Sequence, residues 1–359
     1  MMSKRSSIKS IDALKASALC SDDDAAILSK VTEKYAVAIT PTVVDLINRE
    51  DQKDPIARQF VPTKDELVTL PQEKDDPIGD AAYSPVHGIV HRYPDRVLLK
   101  AVHVCPVYCR FCFRREMVGP EGLGSMTQRE IDDAIAYIQN HEEIWEVILT
   151  GGDPLILSPR RLESLMQSLR DIDHVKVIRF HTRVPVVSPE SIDDSLIKAL
   201  KASGKATYVA LHANHPNEFS APAKSACAKL VDAGITMVSQ TVLLKDINDN
   251  VETLSKLMRS FVENRIKPYY LHHPDLAPGT SHFRVSIQRG QQLMKELRGN
   301  ISGLCQPTYV LDIPGGYGKA PLTQSSVLSQ HDGRYSVEDY QGVIHSYADD
   351  LCGFNPRKN

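Results

Sequence analysis

The chain has no excess of charge of either sign. Its 42 lysines and arginines meet 45 aspartates and glutamates, for a net charge of -3. A nucleic-acid partner calls for a basic excess, so none is expected. No uninterrupted apolar run reaches the length of a membrane span. The opening "MMSKRSSIKSIDALKAS" is basic and Ser-rich but lacks the apolar stretch of a secretory signal. Together these absences predict a soluble cytoplasmic protein with no membrane partner. Tight repeats and low-complexity tracts are also missing, so ordinary globular domains must carry the fold.

An even, dense cysteine set is lacking too. Seven cysteines are spread over 359 residues, which is no disulfide-stapled scaffold. Three of them cluster in "AVHVCPVYCRFCFRRE" (101–116), as Cys105, Cys109 and Cys112. A fourth close by is absent; the nearest others are Cys20 and Cys227. In a reducing compartment such a cluster binds metal or does chemistry. Structural zinc takes paired Cys or Cys/His units closed to four ligands, and only Cys109 and Cys112 make such a pair. His103 would alternate with the cysteines in or beside a strand. Iron–sulfur clusters normally take four thiolates, so three on one loop point to a [4Fe–4S] cluster with one iron open to a ligand. A structural zinc or iron–sulfur module is the bland alternative. The isolated Cys20, Cys227, Cys305 and Cys352 read as small apolar residues.

With 42% hydrophobic residues, the chain can bury one large core or two. Residues 1–85 read as a mostly helical segment. Ser21 caps "SDDDAAILSKVTEKYA", "TPTVVDLINRED" is a second short helix, and Pro-rich spacers follow. From about residue 97 short β-branched runs alternate with amphipathic helices. The strands are "VLLKAVHV", "EVILTGG", "VKVIRFHT", "ATYVALHAN", "ITMVSQTVLL" and "IKPYYLHHP". Among the helices, Thr127 and Glu130 make a capping box, Ser158 and Pro159 open another, and "SPESIDDSLIKALKASG" ends at Gly204. Strands each followed by a helix imply a parallel sheet with right-handed crossovers. Polar and Gly-rich residues follow the strands, which is the active rim of a βα barrel. The expected fold is α/β: a partial (βα)6 barrel over 86–325, with the helical N-terminal extension and a tail at 326–359. A doubly wound open sheet is the structural alternative.

A second motif is "YVLDIPGGYGKAP" (309–321), which puts Lys319 in a Gly-rich turn. An exposed turn lysine is its ordinary reading. The sharper one is a Schiff-base lysine holding a pyridoxal aldehyde, with glycines letting backbone approach the cofactor.

Cys-x3-Cys-x2-Cys after the first strand, with Phe111 before the third Cys, resembles the radical S-adenosylmethionine signature. Gly151 and Gly152 in "LTGGDP" resemble that family's Gly-rich motif near the methionine amino group. Joined to the Lys319 motif, these features resemble the lysine 2,3-aminomutase family. "HRYPDRVLL", "CRFCFRR", "TGGDPL", "RVPVVSPESI", "NHPNE", "VLLKDINDN", "PYYLHHPDL" and "HFRVS" look like its signatures, in its order, from about His91 to Pro321.

The resemblance implies a partial barrel and three cofactors: a [4Fe–4S] cluster on Cys105, Cys109 and Cys112, S-adenosylmethionine, and pyridoxal phosphate on Lys319. It implies Arg92 and Arg96 at the cofactor phosphate, Arg114 at the substrate carboxylate, and Gln240 facing the adenosine or the pyridoxal. Asp275 and Asp312 would hold the distal ammonium of L-lysine, with Asp312 as a turn-capping residue the bland alternative. The implied reaction is the interconversion of L-lysine and β-lysine, driven by an external electron donor. Relatives that serve elongation factor P, giving the other β-lysine enantiomer, lack the second aspartate; Asp312 favours a free-lysine enzyme over them. An arginine aminomutase is a further alternative. The free-lysine enzymes also carry a C-terminal zinc site that ties subunits together. Here the tail holds only Cys352, and Asn250 stands where a partner cysteine is expected. Zinc is not expected, and any homo-oligomer would form through the helical N-terminal segment.

Overall fold

The computed structural model describes residues 5–118, 124–331 and 334–348. Among these residues, nine strands form one sheet in chain order. β1 (Ile89–Tyr93) runs antiparallel to β2 (Arg96–Val102). β3 (Glu146–Gly151), β4 (Val177–Thr182), β5 (Ala206–His212), β6 (Thr236–Val242), β7 (Lys267–His272) and β8 (Thr308–Asp312) then follow in parallel. β9 (Lys319–Pro321) turns back antiparallel on β8. The expected six strand–helix units are present, and the run before the Gly-rich turn adds a seventh parallel strand, β8. Lys319 is the first residue of β9 rather than part of the turn itself.

Laid flat, eight strand spacings of ~4.8 Å would hold β1 and β9 about 38 Å apart. Instead they touch. The backbone N–H of Lys319 donates to the Tyr93 hydroxyl at 2.7 Å. Gly79, ahead of β1, lies so close to the turn before β9 that a Cβ there would sit 2.6 Å from the Gly315 carbonyl carbon. The sheet therefore curls into a partial barrel, and its edges meet through a side chain and a turn rather than a hydrogen-bonded ladder.

The N-terminal helices are α1 (Ile11–Ala16), α2 (Asp22–Lys34), α3 (Pro41–Leu46) and α4 (Ala57–Phe60). The crossovers are α5 (Gln128–Gln139), α6 (Pro159–Arg170), α7 (Val184–Val187), α8 (Asp194–Leu200), α9 (Ala221–Asp232), α10 (Val251–Glu263) and α11 (Ile287–Asn300). Caps set their starts as the sequence predicts: Ser21 on α2, Ser158 on α6, and the reciprocal Thr127–Glu130 box on α5. The helix expected from Ser188 is shorter. Pro189–Ser191 forms a separate 3-10 turn, and the Asp193 carboxylate, accepting from Leu196 N at 2.8 Å, starts α8 afresh. Asn250 caps α10 by accepting from Thr253 N at 2.9 Å, a helix-start role in place of a thiol.

Helices bury one stripe each. On α10 it is Leu254, Leu257, Met258 and Phe261, spaced to share one face. Burying each such side chain contributes about 1.5–3 kcal/mol before entropy is counted. Cys227 and Cys305 are buried, and Cys20 packs at the edge of the core, as expected of small apolar residues. Cys352 lies outside the described residues. β10 (Val327–His331), β11 (Arg334–Glu338) and β12 (Ile344–Ala348) form a separate antiparallel sheet, tied to α11 by Lys295 and Glu338 at 2.7 Å. Among the described residues no helix is long and apolar enough to cross a membrane.

The N-terminal segment clamps the cysteine loop. Glu66 is fully buried and accepts from Arg110 Nε at 3.0 Å, and also from Arg115. Burial opposes its charge, but the two guanidinium groups outweigh that and hold its carboxyl below the usual range. Glu66→Gln would leave two buried cations short of a partner. We expect a loss of ~3–5 kcal/mol in urea unfolding; a loss under about 1 kcal/mol would mean this clamp is no stronger than a surface pair.

Candidate active site

The ends of the parallel strands open on a cavity of about 420 Å³. Its lining contains every residue expected of the site: Cys105, Cys109 and Cys112; Gly151 and Gly152; Arg92, Arg96 and Arg114; Gln240, Asp275, Asp312 and Lys319. A larger cavity, about 1390 Å³, lies between the N-terminal helices and the cysteine loop, and of this set it shares only Cys105.

The cysteine loop follows β2. It is pinned from outside by backbone bonds: Tyr108 N donates to Ala38 O at 3.0 Å, and Arg110 N to Gln59 O at 2.8 Å. Burial pushes the thiols of Cys105 and Cys109 up, and that of Cys112 to about 11. Bare thiolates are therefore costly here, and iron in place of the protons relieves that cost. Among the described residues no group of three His, Cys, Asp or Glu side chains converges as ligands of one metal ion. Three thiols on one loop that line one cavity can each take a separate iron of a cluster. The donor set thus fits a [4Fe–4S] group with an open iron.

Gly151 and Gly152 are there for close approach. Gly151 has φ +106°, and a Cβ on it would lie 2.6 Å from Val102 O. On Gly152 a Cβ would lie 2.3 Å from Val104 O, at the root of the cysteine loop. Asp153 follows, fully enclosed, with its carboxylate accepting from Thr182 Oγ1 and Arg183 N, each at 2.7 Å. Burial still raises its carboxyl above the ordinary value.

Cations line another wall. Arg92 and Arg114 both lean on one carboxylate, Asp80, at 3.0 and 3.1 Å, with Lys100 at 3.7 Å. Burial disfavours the charge of Asp80, but Arg114, Lys100 and Arg92 outweigh it and lower its pKa. Three cations to one anion leave this wall positive. The Nε groups of Arg92 and Arg114 are buried and have no hydrogen-bond partner among the described residues. Donors left over in this way suit a phosphate and a carboxylate. Arg96 is engaged differently: it bonds Asp95 at 2.6 Å and lies 3.9 Å over the Tyr93 ring.

Lys319 Nζ donates to Asp312 at 2.6 Å. His272 meets the other oxygen of Asp312 at 3.4 Å. Burial opposes the charge on Asp312, yet His272 and Lys319 together hold its carboxyl well below the usual range. Asp275 is the opposite case. It faces the same cavity with no hydrogen-bond or ion-pair partner among the described residues. Burial, then the nearby charge of Asp312, raises its carboxyl to about 7. His181 and His212, at the ends of β4 and β5, are kept neutral by burial. The cavity thus brings both expected aspartates together with Lys319, and in this state Asp312 already serves the lysine.

Sequence reading missed Asp80, Lys100, Arg183 and Glu218. Asp80 sits in a Pro/Gly-rich spacer, and nothing local marks it. Arg183 and Glu218 stood inside quoted motifs, "RVPVVSPESI" and "NHPNE", but gained no role there.

Gly152→Ala should displace the loop root. We expect a loss of ~1–3 kcal/mol in thermal or urea unfolding and a reduced iron content after reconstitution. Wild-type stability and iron content would contradict the close-approach account.

Residues 99–258 match the family model of the radical SAM superfamily, and residues 294–351 match that described as lysine-2,3-aminomutase. The L-lysine 2,3-aminomutase of Acetoanaerobium sticklandii is 38% identical over 96% of this chain and 82% of its own length. That of Fusobacterium nucleatum is 39% identical over 95% of this chain and 80% of its own. A glutamate 2,3-aminomutase from Clostridioides difficile is 35% identical over 90% and 76%. Likeness at this level along nearly the whole chain, on a cavity that joins three cysteines to Lys319, makes the chain a member of the lysine 2,3-aminomutase family within the radical SAM superfamily.

Proposed function

We propose that this protein interconverts L-lysine and β-lysine by moving an amino group between C2 and C3. It would do so with a [4Fe–4S] cluster, S-adenosylmethionine and pyridoxal phosphate. The observation that carries the lysine reading is Asp275, a carboxylate with no partner among the described residues, facing the cavity beside Asp312 and Lys319. A half-buried carboxylate without a counter-ion calls for a cation, and the distal ammonium of lysine supplies one. Glutamate would bring a second anion against the two aspartates.

When bound, the cofactors supply a carbon radical strong enough to take hydrogen from C3 and a conjugated carrier for the migrating nitrogen. Cys105, Cys109 and Cys112 hold the cluster, and Gly151 and Gly152 let backbone approach the methionine end. Lys319 would hold pyridoxal phosphate through Nζ, which Asp312 orients from 2.6 Å away. Arg92, with Arg96 beside it, takes the phosphate. Arg114 takes the lysine carboxylate, and Gln240 lines the wall that faces the rings. The substrate would then lie between a positive wall at its carboxylate and a negative one at its distal ammonium. That double anchor would orient C3, and such positioning can remove a large part of the barrier. A one-electron donor from outside the chain is required.

Anaerobic protein reconstituted with iron, sulfide, pyridoxal phosphate, S-adenosylmethionine and dithionite should form β-lysine from L-lysine. Chiral chromatography reads both product and enantiomer. Cys109→Ala and Lys319→Ala should each abolish it. Conversion of arginine or glutamate in preference to lysine would overturn the lysine reading.

Asp275 must be ionised to hold an ammonium, and its carboxyl titrates at about 7. Its protonated form is favoured below that value, so binding weakens as pH falls. The KM for lysine should drop as pH rises through about 7, by up to about tenfold per unit on the acid side. In Asp275→Asn this dependence should vanish and KM should stay high. A flat pH profile in the wild type would remove Asp275 from the site.

A further inference from the structure

Arg183 directly follows β4 and is almost fully enclosed, 4% exposed. Its Nη1 donates to Cys109 Sγ at 3.1 Å. Its Nη2 donates to Glu218 at 2.6 Å and to Gln59 at 2.5 Å. The guanidinium carbon lies 4.5 Å from the Phe60 ring centre and 5.5 Å from that of Phe111. Glu218 is fixed in turn, its other oxygen accepting from Asn214 N at 2.7 Å and His215 N at 3.0 Å. A charged donor is thus clamped against one sulfur of the cysteine loop, with its counter-ion held at a separate nitrogen. A guanidinium needs no sulfur to be satisfied, since carboxylate and amide oxygens are the better acceptors. Its position on Cys109 therefore calls for a role.

We propose that Arg183 acts through Cys109 as a positioning residue of the cluster loop and raises the reduction potential of the cluster. Glu218 opposes it and sets how far. The inference rests on the cluster reading of the three cysteines. In the reduction one electron enters from an external one-electron donor; no bond forms or breaks and no proton moves. The reduced cluster carries one more negative charge than the oxidised one. A donor and a fixed cation at a ligand sulfur stabilise the reduced state more. Hydrogen bonds to cluster sulfurs and local net charge are among the levers that set such potentials.

The two partners give shifts of opposite sign, which a merely structural role would not. Arg183→Gln removes the cation from the sulfur and leaves Glu218 uncompensated, so reduction becomes harder. Glu218→Gln keeps an acceptor for the Asn214 and His215 amides and leaves Arg183 on Cys109 with its charge unbalanced. Reduction then becomes easier. The reconstituted full-length protein is titrated anaerobically with redox mediators, and the reduced cluster is followed by electron paramagnetic resonance. The expected change in the one-electron reduction equilibrium is about tenfold or more in each direction, or 59 mV per factor of ten. Equal potentials, or shifts of the same sign, would overturn the proposal. If Arg183→Gln fails to hold a cluster, Glu218→Gln decides alone: a raised potential supports the assignment and an unchanged or lowered one overturns it. A wild-type protein that assembles no cluster, or a Cys109→Ala variant that assembles it fully, would instead overturn the cluster reading.

Discussion

The backbone amide of Lys319 meets the hydroxyl of Tyr93 at 2.7 Å, and the arrangement of the active site depends on that closure. Lys319 begins the last strand of the large sheet, and Arg92 lies on the first. Only the curl of the strands between them brings the lysine to the wall that Arg92 and Arg114 form. The cysteine loop, which leaves β2, then lines the same space. The right-handed twist of parallel strands supplies the tendency to curl. The Tyr93 contact and the apposed Gly79 and Gly315 fix where the curl stops.

Charge inside the cavity is sorted. Arg92, Arg114 and Lys100 crowd around one carboxylate, Asp80, and leave a positive excess. Asp312 pairs with Lys319, and Asp275 lies near both, with Arg114 acting on it from further off. A molecule with a carboxylate at one end and an ammonium at the other satisfies both walls at once. The same sorting explains why two aspartates in one cavity titrate so differently. Asp312 has Lys319 and His272 directly against it, whereas around Asp275 burial and the like charge of Asp312 outweigh the more distant Lys319 and Arg114. Loading pyridoxal onto Lys319 would change the charge Asp312 meets, so the two ends of the substrate are linked through this pair.

Much of this was legible in the sequence because its causes are local. The cysteine spacing, the capping box of Thr127 and Glu130, and the glycines after β3 each express geometry within a few residues. Strand and helix alternation gave the barrel, since parallel strands need crossovers. What stayed hidden depends on contacts far apart in the chain. Arg183 and Cys109 are 74 residues apart, and Arg110 and Glu66 are 44 apart. Asp80 lies in a spacer whose only local signals are turns. The helix expected from Ser188 was overextended because Pro189 opens a 3-10 turn as readily as a helix, and only the Asp193 cap shows where α8 starts. The seventh strand was visible as an apolar run, but its parallel pairing with β7 needed the fold.

Chemistry begun at the cysteine loop would be aimed at a lysine held on the pyridoxal that Lys319 brings to the same cavity. L-lysine deuterated at C3 tests it, with the loaded enzyme and a small amount of S-adenosylmethionine. Deuterium is expected at the 5′ carbon of S-adenosylmethionine, and not in Lys319→Ala. Cleavage of S-adenosylmethionine with the label still wholly on lysine would contradict it, because the two halves of the cavity would then not act on the same molecule.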